Sequence, residues 1–236
     1  MHNILCIKWG TAYGALYVNR LLHMAKRHMQ LPFRFICLTD DATDIDPEVE
    51  IRPIPDVAQP QHNHLSPWRK LAVFSPDLAD IQGKTLFLDL DVVIVDDLTV
   101  FFEGFDDLTI IENWTQPGRG IGNSSVFLFR PGTHPDIFQQ YQSNAENISR
   151  HYGNEQTYFS QQITDLKYWP KHWCRSFKFH AIPTWPWRLI QTPRLPEGCR
   201  ILVFHGRPNP DAAIAGAYSS WRKFYRPAPW IADYWQ

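Results

Sequence analysis

Two aspartates, Asp89 and Asp91, interrupt a largely apolar run at residues 84–95, KTLFLDLDVVIV. Like charges this close raise the free energy of the folded protein unless a positive charge lies between them. Carboxylate oxygens are the ligands that hard divalent cations such as Mg²⁺ and Mn²⁺ prefer. The pattern therefore indicates a metal site, and its simpler alternative is a pair of carboxylates that ends a strand.

The surrounding sequence indicates which elements position this pair. An apolar run at 3–9, an amphipathic helix at 13–29 and an apolar run at 33–38 follow one another. This order is typical of a parallel α/β sheet. Further strands are predicted at 49–54, 85–90, 92–95, 98–102, 108–112, 124–129, 176–182 and 201–204, and helices at 68–79, 135–148 and 154–164.

The predicted fold is α/β, with a mostly parallel central sheet flanked by helices and an irregular C-terminal part rich in Pro and Trp. In such a sheet, ligands bind outside the carboxyl ends of the strands. Asp89 and Asp91 are predicted to lie at the end of the strand at 85–90. The two-residue period of a strand would place both side chains on one side. We expect one domain over residues 1–236, because no linker or internal repeat divides the chain.

Composition excludes several other classes of protein. The 236 residues carry a formal net charge of −1, which gives no general attraction to nucleic acid. The four cysteines form no C-x-x-C pair, so neither a disulfide framework nor a zinc site is indicated. No signal peptide or membrane-spanning run is present, and a cytoplasmic enzyme is the expectation. The aromatic segment at 225–235 leaves open a peripheral membrane contact, with packing in the core as its alternative.

Two enzyme classes use an Asp-x-Asp pair after an apolar strand. In phosphatases of the haloacid dehalogenase type the motif opens the domain, whereas here it lies more than a third of the way along the chain. Residues 149–171 also lack the later Gly-Asp-x-x-x-Asp pattern of that class. In nucleotide-sugar glycosyltransferases with the GT-A fold, an α/β half that binds the nucleotide precedes the motif, as it does here. A non-catalytic nucleotide-sugar-binding protein on the same fold is a third alternative.

Segments spread along the chain resemble glycosyltransferase family eight, the type that includes glycogenin and bacterial lipopolysaccharide glycosyltransferases. The resemblance is collinear from about Ile4 to Pro208. It rests on short motifs, which are CIKWGTAYG, SPWRKLAVF, LFLDLDVVIVDDL, GNSSVFLFRPG, GNEQTYFSQQI and VFHGRPNP. Residues 1–115 would then form the nucleotide-binding half and residues 116–236 the acceptor-side half.

The resemblance implies a role for each matching residue. Asp89, Asp91 and His205 would hold Mn²⁺ or Mg²⁺, while Glu155 and Gln156 would lie at the reacting centre. The residues expected to contact the donor are Thr11, Tyr13, Lys70, Asn123, Ser124, Ser125, Gly206 and Arg207. Arg69 is the alternative to Lys70 as the basic residue near the donor.

The implied activity is metal-dependent transfer of a sugar from a nucleotide diphosphate sugar, expected to be a UDP-sugar, to a carbohydrate or other hydroxyl acceptor. The resemblance also implies retention of configuration at the anomeric carbon. Three positions depart from the family pattern. Glu155 stands where the family has Asp, Arg207 stands where a Lys is usual, and Ser124-Ser125 replaces a pair of small residues ending in Gly.

Overall fold

The structure is a computed structural model that describes residues 1–62, 67–216 and 224–236. A seven-stranded sheet forms its centre, in the order β3-β2-β1-β4-β7-β6-β8. Its strands are β1 (His2–Lys8), β2 (Phe33–Thr39), β3 (Glu50–Arg52), β4 (Lys84–Leu88), β6 (Thr109–Glu112), β7 (Gly122–Phe129) and β8 (Lys167–Tyr168). Strands β3, β2, β1 and β4 run parallel, β7 is antiparallel to both of its neighbours, and β8 is parallel to β6. The predicted mostly parallel α/β sheet is confirmed.

A second sheet of three strands lies beyond the Asp-x-Asp segment, in the order β5-β10-β9. Its strands are β5 (Val92–Ile94), β9 (Cys174–Ser176) and β10 (Ile201–Val203). The helices are α1 (Ala15–His28), α2 (Pro135–Tyr152), α3 (Glu155–Gln162) and α4 (Pro210–Ala215). This small sheet brings the C-terminal part of the chain next to the end of β4, because β10 pairs with β5.

The central sheet has an apolar core on each face. Side chains along strand β1 point alternately to the two faces, so Ile4 and Cys6 belong to one core and Leu5 and Ile7 to the other. Helix α1 covers the first core with its buried apolar face. Helices α2 and α3, together with a 3₁₀ segment at Pro67–Phe74, cover the second core. Burial on both faces explains why the parallel strands are almost continuously apolar.

Three predicted elements are wrong in type. The predicted helix at 68–79 is a pair of 3₁₀ segments, Pro67–Phe74 and Pro76–Leu78, because a proline lacks an amide donor and disfavours helical geometry in the residue before it. The run at 98–102 forms the 3₁₀ turn Thr99–Phe102, and Asp97, just before it, accepts from the Thr99 amide.

The run at 176–182 is the third wrong prediction. It forms a π-helical turn at Phe177–Ala181 instead of a strand, and the hydroxyl of Ser176 accepts from the Phe179 amide at its start. In all three cases a local proline or side-chain hydrogen bond decides the backbone, and the apolar pattern does not reveal it.

The aromatic segment at 225–235 packs into the protein. Tyr225, Ile231 and Trp235 are buried in the same core as helix α1. Arg27 of α1 donates hydrogen bonds to the carbonyls of Tyr234 and Gln236. Of the two alternatives raised for this segment, the structure shows core packing. Among the residues that the structure describes, no helix has the length and apolar character needed to cross a bilayer.

Candidate active site

Asp89 and Asp91 lie in the turn that joins β4 to β5. Strand β4 ends at Leu88, so the strand period expected to align the two carboxylates does not apply. The turn is fixed by the Asp89 amide, which donates to the Ser125 carbonyl of β7 at 2.9 Å. Asp91 is 7% exposed, and its Oδ2 accepts from the Tyr13 hydroxyl at 2.8 Å. Turn geometry therefore brings both side chains to the same cleft.

Lys70 provides the positive charge next to this pair. Its Nζ lies 2.7 Å from Asp89 Oδ2 and 3.3 Å from Ser124 Oγ. Burial by itself would lower the pKa of Lys70, but the charges of Asp89 and Glu155 raise that pKa above its usual range. Lys70 is therefore a fixed cation, held by the 3₁₀ segment whose other side packs in the second core.

Glu155 and Gln156 open helix α3 and contact the same serine. Glu155 Oε1 accepts from Ser124 Oγ at 2.7 Å, and Gln156 Oε1 accepts from the Ser124 amide at 3.2 Å. Burial raises the pKa of Glu155, and its second oxygen, Oε2, is buried without a hydrogen-bond partner. Ser124 thus links the helix start to Lys70 and, through Lys70, to Asp89.

Asn154 is the N-cap of α3, and its side chain accepts from the Thr157 amide at 2.9 Å. We expect Asn154→Ala to lower the free energy of unfolding by about 1 kcal/mol, because it removes this cap. Urea denaturation measures the change. Asn154→Asp, which keeps an acceptor in this position, is the matched control and should retain most of the stability. Equal stability of Asn154→Ala and wild type would contradict the capping role.

The side chains surround one cleft of about 680 Å³. It lies at the ends of β1 and β4, next to the first half of β7 and the ends of β6 and β10, where the fold rule for ligands in α/β sheets expects it. Eleven of the thirteen predicted site residues line it, namely Tyr13, Lys70, Asp89, Asp91, Asn123, Ser124, Ser125, Glu155, Gln156, His205 and Gly206. The other two, Thr11 and Arg207, are not among the lining residues, although each is next in sequence to one that is.

His205 follows β10 and lines the cleft. Its Nε2 lies 2.7 Å from Ser176 Oγ, and its ring stacks against Trp114 and Phe179 at centroid distances of 5.8 and 5.4 Å. Burial, followed by the charge of Lys178, lowers the pKa of His205 to about 4, so the imidazole is neutral. A neutral imidazole is the form that binds metals.

Sequence reasoning missed several lining residues with aromatic or polar side chains, namely Trp9, Gln59, Asn113, Trp114, Thr115, Asn154 and Phe204. Arg69, the substitute considered for Lys70, also lines the cleft. A signal for Asn113 and Trp114 was present, since they directly follow the predicted strand at 108–112 and so lie at another strand end. No comparable signal marks Gln59, which lies in a loop outside any element.

The charges of the cleft fit a divalent cation. Three buried or half-buried carboxylates, Asp89, Asp91 and Glu155, line it together with the cations Lys70 and Arg69. Burial and the charge of Asp89 raise the pKa of Asp91 to about 7, and the side chain bonded to Asp91 is the uncharged hydroxyl of Tyr13. A metal ion would stabilise the ionised form of Asp91.

The third expected ligand is less well placed. No group of three or more His, Cys, Asp or Glu side chains within residues 1–62, 67–216 and 224–236 is arranged to hold one metal ion. The donor set that fits a cation in this structure is therefore the carboxylate pair. His205 Nε2 would join it by exchanging its hydrogen bond with Ser176 for a metal bond.

Similarity to known proteins appears at the level of structure. No family model and no curated protein matches the sequence. The galactosyltransferase LgtC, solved in complex with donor and acceptor sugar analogs, matches with a TM-score of 0.60 and 14% identity over 88% of each chain. An LgtC mutant with an active-site glutamine changed to glutamate matches with a TM-score of 0.60 and 13% identity, over 98% of this chain and 95% of that one.

The glycosyltransferase GlyE of Streptococcus pneumoniae TIGR4, in its apo form, is also similar. It matches with a TM-score of 0.60 and 16% identity over 99% of this chain. The match spans 59% of the GlyE chain, so GlyE has a large part with no counterpart here. The TM-scores establish a shared fold, and sequence identities this low establish nothing more. The chain thus has the GT-A-like fold of the glycosyltransferases LgtC and GlyE.

Proposed function

We propose that this protein is a glycosyltransferase that moves a sugar from a nucleotide diphosphate sugar, expected to be a UDP-sugar, to an acceptor hydroxyl. One observation carries the proposal. In a fold shared with glycosyltransferases, a carboxylate pair, a buried lysine and the polar start of α3 line a single cleft. The phosphatase alternative is not favoured, because the similar solved structures described above are glycosyltransferases.

The donor would bind with its diphosphate in the cleft beside the Asp-x-Asp turn and the Lys70 that pairs with Asp89. Asp89 and Asp91 would hold Mn²⁺ or Mg²⁺, with His205 as the candidate third ligand. A bound cation supplies Lewis-acid stabilisation of the negative charge that develops on the leaving diphosphate. Lys70 supplies a second, fixed positive charge without any rearrangement, because the fold already holds it beside Asp89.

The remaining donor contacts follow from the walls of the cleft. Tyr13 lines it on the side of β1 and would contact the base and ribose, together with Thr11 just outside the lining. Asn123, Ser124 and Ser125 present the first part of β7 to the sugar. Gly206 would approach the diphosphate with its backbone. Arg207 follows it and would supply a further cation if its side chain turns towards the phosphates.

In the reaction, the bond between the anomeric carbon and the diphosphate oxygen breaks, and its electron pair leaves with the nucleotide diphosphate. The acceptor oxygen forms the new bond to the anomeric carbon, and its proton passes to the departing phosphate oxygen. Attack from the face that the diphosphate leaves gives retention. Glu155 and Gln156 would stabilise the positive charge of the sugar from the start of α3, with Ser124 holding both side chains in place.

Donor binding tests this proposal directly. We expect UDP-sugars to raise the melting temperature in the presence of Mn²⁺, because ligands that bind the folded state stabilise it by mass action. At a ligand concentration 100 times Kd the stabilisation is about 2.7 kcal/mol, which corresponds to about 5–10 °C for a chain of this size. The measurement is a thermal-shift series with UDP-glucose, UDP-galactose, UDP and uridine, each with Mn²⁺ or with EDTA.

The controls separate the alternatives. Uridine lacks the diphosphate and should give little shift, and EDTA should reduce the shift given by UDP. A phosphatase would instead turn over a generic phosphomonoester with Mg²⁺. Shifts with UDP-sugars but no transfer to any acceptor would favour the non-catalytic alternative. Absence of any shift with UDP or with UDP-sugars in Mn²⁺ would overturn the proposed donor class.

A further inference from the structure

The acidic residues of this chain are unevenly distributed. Residues 166–196 contain six Lys and Arg and no Asp or Glu. The chain has 23 Lys and Arg against 24 Asp and Glu, so the other 205 residues hold 17 cations against 24 acids. A net charge of −1 therefore conceals one strongly basic run of 31 residues in an otherwise acidic chain.

Part of this run forms a closed surface loop. The Arg194 amide donates to the Ala181 carbonyl at 3.0 Å, which brings the two ends of residues 182–193 together. We call residues 182–193 the aromatic loop. Inside it, the Arg188 amide donates to the Thr184 carbonyl at 3.2 Å and the Gln191 amide to the Trp187 carbonyl at 2.8 Å. These bonds give the loop a fixed helical turn at its tip.

The tip presents large apolar side chains to solvent. Trp185 and Trp187 are each 54% exposed, Leu189 is 41% exposed and Ile190 is 66% exposed. Among the described residues, six of the ten exposed large apolar side chains lie between positions 179 and 195. Apolar side chains concentrated at one place mark an interaction surface, whereas scattered ones do not.

We propose that the aromatic loop docks the protein on an anionic lipid bilayer. Its chemistry matches the interface of such a bilayer, where Trp rings lie at the level of the headgroups and Leu and Ile reach the acyl chains. Arg188 within the loop and Arg194 at its end would face anionic headgroups, whereas Lys167 and Lys171 of the basic run pair with Asp165 and Glu112. Arg188 already lies over the Trp185 ring, 5.3 Å from its centroid, which places a cation beside the apolar tip.

The base of the loop borders the cleft. Phe179, which precedes the loop and is 54% exposed, stacks on His205 of the cleft wall. Docking would therefore place the cleft close to the bilayer surface. On the proposed function, the acceptor would be a hydroxyl group presented at that surface. Membrane binding itself does not depend on that function, and the two can fail separately.

The experiment is vesicle flotation with the full chain. We expect binding to vesicles of phosphatidylcholine with 30% phosphatidylglycerol, weak binding to phosphatidylcholine alone, and loss of binding at high salt. Trp187→Ala with Ile190→Ala should lower the partition coefficient at least about tenfold, because it removes most of the inserted apolar area. Arg194→Glu should lower it for the anionic vesicles. Leu16→Ala removes a side chain that is 56% exposed on α1 and should leave it unchanged.

Other outcomes would overturn the proposal. The proposal fails if the wild-type protein does not float with anionic vesicles. It also fails if the loop variants bind these vesicles as well as the wild-type protein does. If the protein dimerises in the absence of vesicles and Trp187→Ala abolishes the dimer, the aromatic loop would instead bind a second copy of this chain. Circular dichroism and the UDP-induced thermal shift of each variant show whether fold and donor site are preserved, so a failed donor site is not mistaken for failed docking.

Discussion

Asp91→Asn is expected to lower kcat for sugar transfer by about 10³-fold or more in the presence of Mn²⁺. The carboxylate would hold the cation that stabilises the leaving diphosphate, and such stabilisation amounts to several kcal/mol, with about 1.4 kcal/mol per tenfold in rate. Asn keeps the size of the side chain but loses its charge. The measurement is release of UDP in the presence of acceptor, with the Mn²⁺ dependence titrated for each variant.

The fold should survive this change. Burial and the charge of Asp89 make ionised Asp91 unfavourable in the protein, so removing its charge should not destabilise a metal-free sample. Asp89→Asn is expected to lose transfer as well. Asp96→Asn changes an exposed carboxylate a few residues later, which pairs with Arg200, and as the matched control it should keep full activity. Full activity of Asp91→Asn, or activity in excess chelator, would refute the metal site.

Lys70→Met should both destabilise the protein and abolish donor binding. Methionine has a side chain of similar length, so the substitution removes mainly the charge. Removing one partner of a buried ion pair leaves the other charge uncompensated and lowers the free energy of unfolding by about 3–5 kcal/mol. Here the uncompensated groups are Asp89, 2.7 Å from Nζ, and Glu155, whose charge also acts on Lys70. Guanidinium denaturation measures the loss.

Two comparisons make this result specific. Arg69→Met changes the neighbouring cation, which is half-buried and forms no ion pair with a carboxylate in the part of the chain that the structure describes, and it should cost much less stability. Adding Asp89→Asn to Lys70→Met should recover part of the lost stability, because it removes a charge that lost its partner. A loss below about 1 kcal/mol for Lys70→Met would show that the pair is not the electrostatic centre of the site.

The fold class was predictable because its signals are periodic. Apolar strands buried on two faces and an amphipathic first helix are properties of residue type and spacing, and both appear at the expected places. The wrong elements share a cause. At residues 67–78, 99–102 and 177–181 a proline or a short polar side chain decides the backbone, and apolar periodicity does not record such bonds.

Most of the candidate site was predictable as a list of residues but not as an arrangement. Strand ends and the family resemblance pointed to eleven residues that line the cleft. The bonds that organise them could not be derived, because Lys70 meets Asp89 and Glu155 only after the 3₁₀ segment, the β4 turn and α3 have packed on β7. The neutral state of His205 and its bond to Ser176 likewise depend on packing of the second sheet.

The same limit applies to the surface of the protein. Total net charge suggested no preferred partner, whereas the basic run at 166–196 supports the proposed docking on an anionic bilayer. Membrane contact and core packing were both open for the aromatic segment at 225–235, which is packed, whereas Trp185 and Trp187 of the aromatic loop at 182–193 are exposed. Composition does not distinguish these two segments, since both combine Trp, Pro and Arg. The two segments are distinguished by their contacts with the core, which the sequence does not show.

The hydrogen bonds from Arg27 to the carbonyls of Tyr234 and Gln236 span 207 and 209 residues. Contacts of this separation form only after the loss of entropy from closing a very long loop has been offset by other contacts. We therefore expect helix α1 to complete its packing late in folding, after the central sheet. Interactions that form after the transition state mainly slow unfolding, so this pairing would contribute to the lifetime of the native protein more than to its rate of formation.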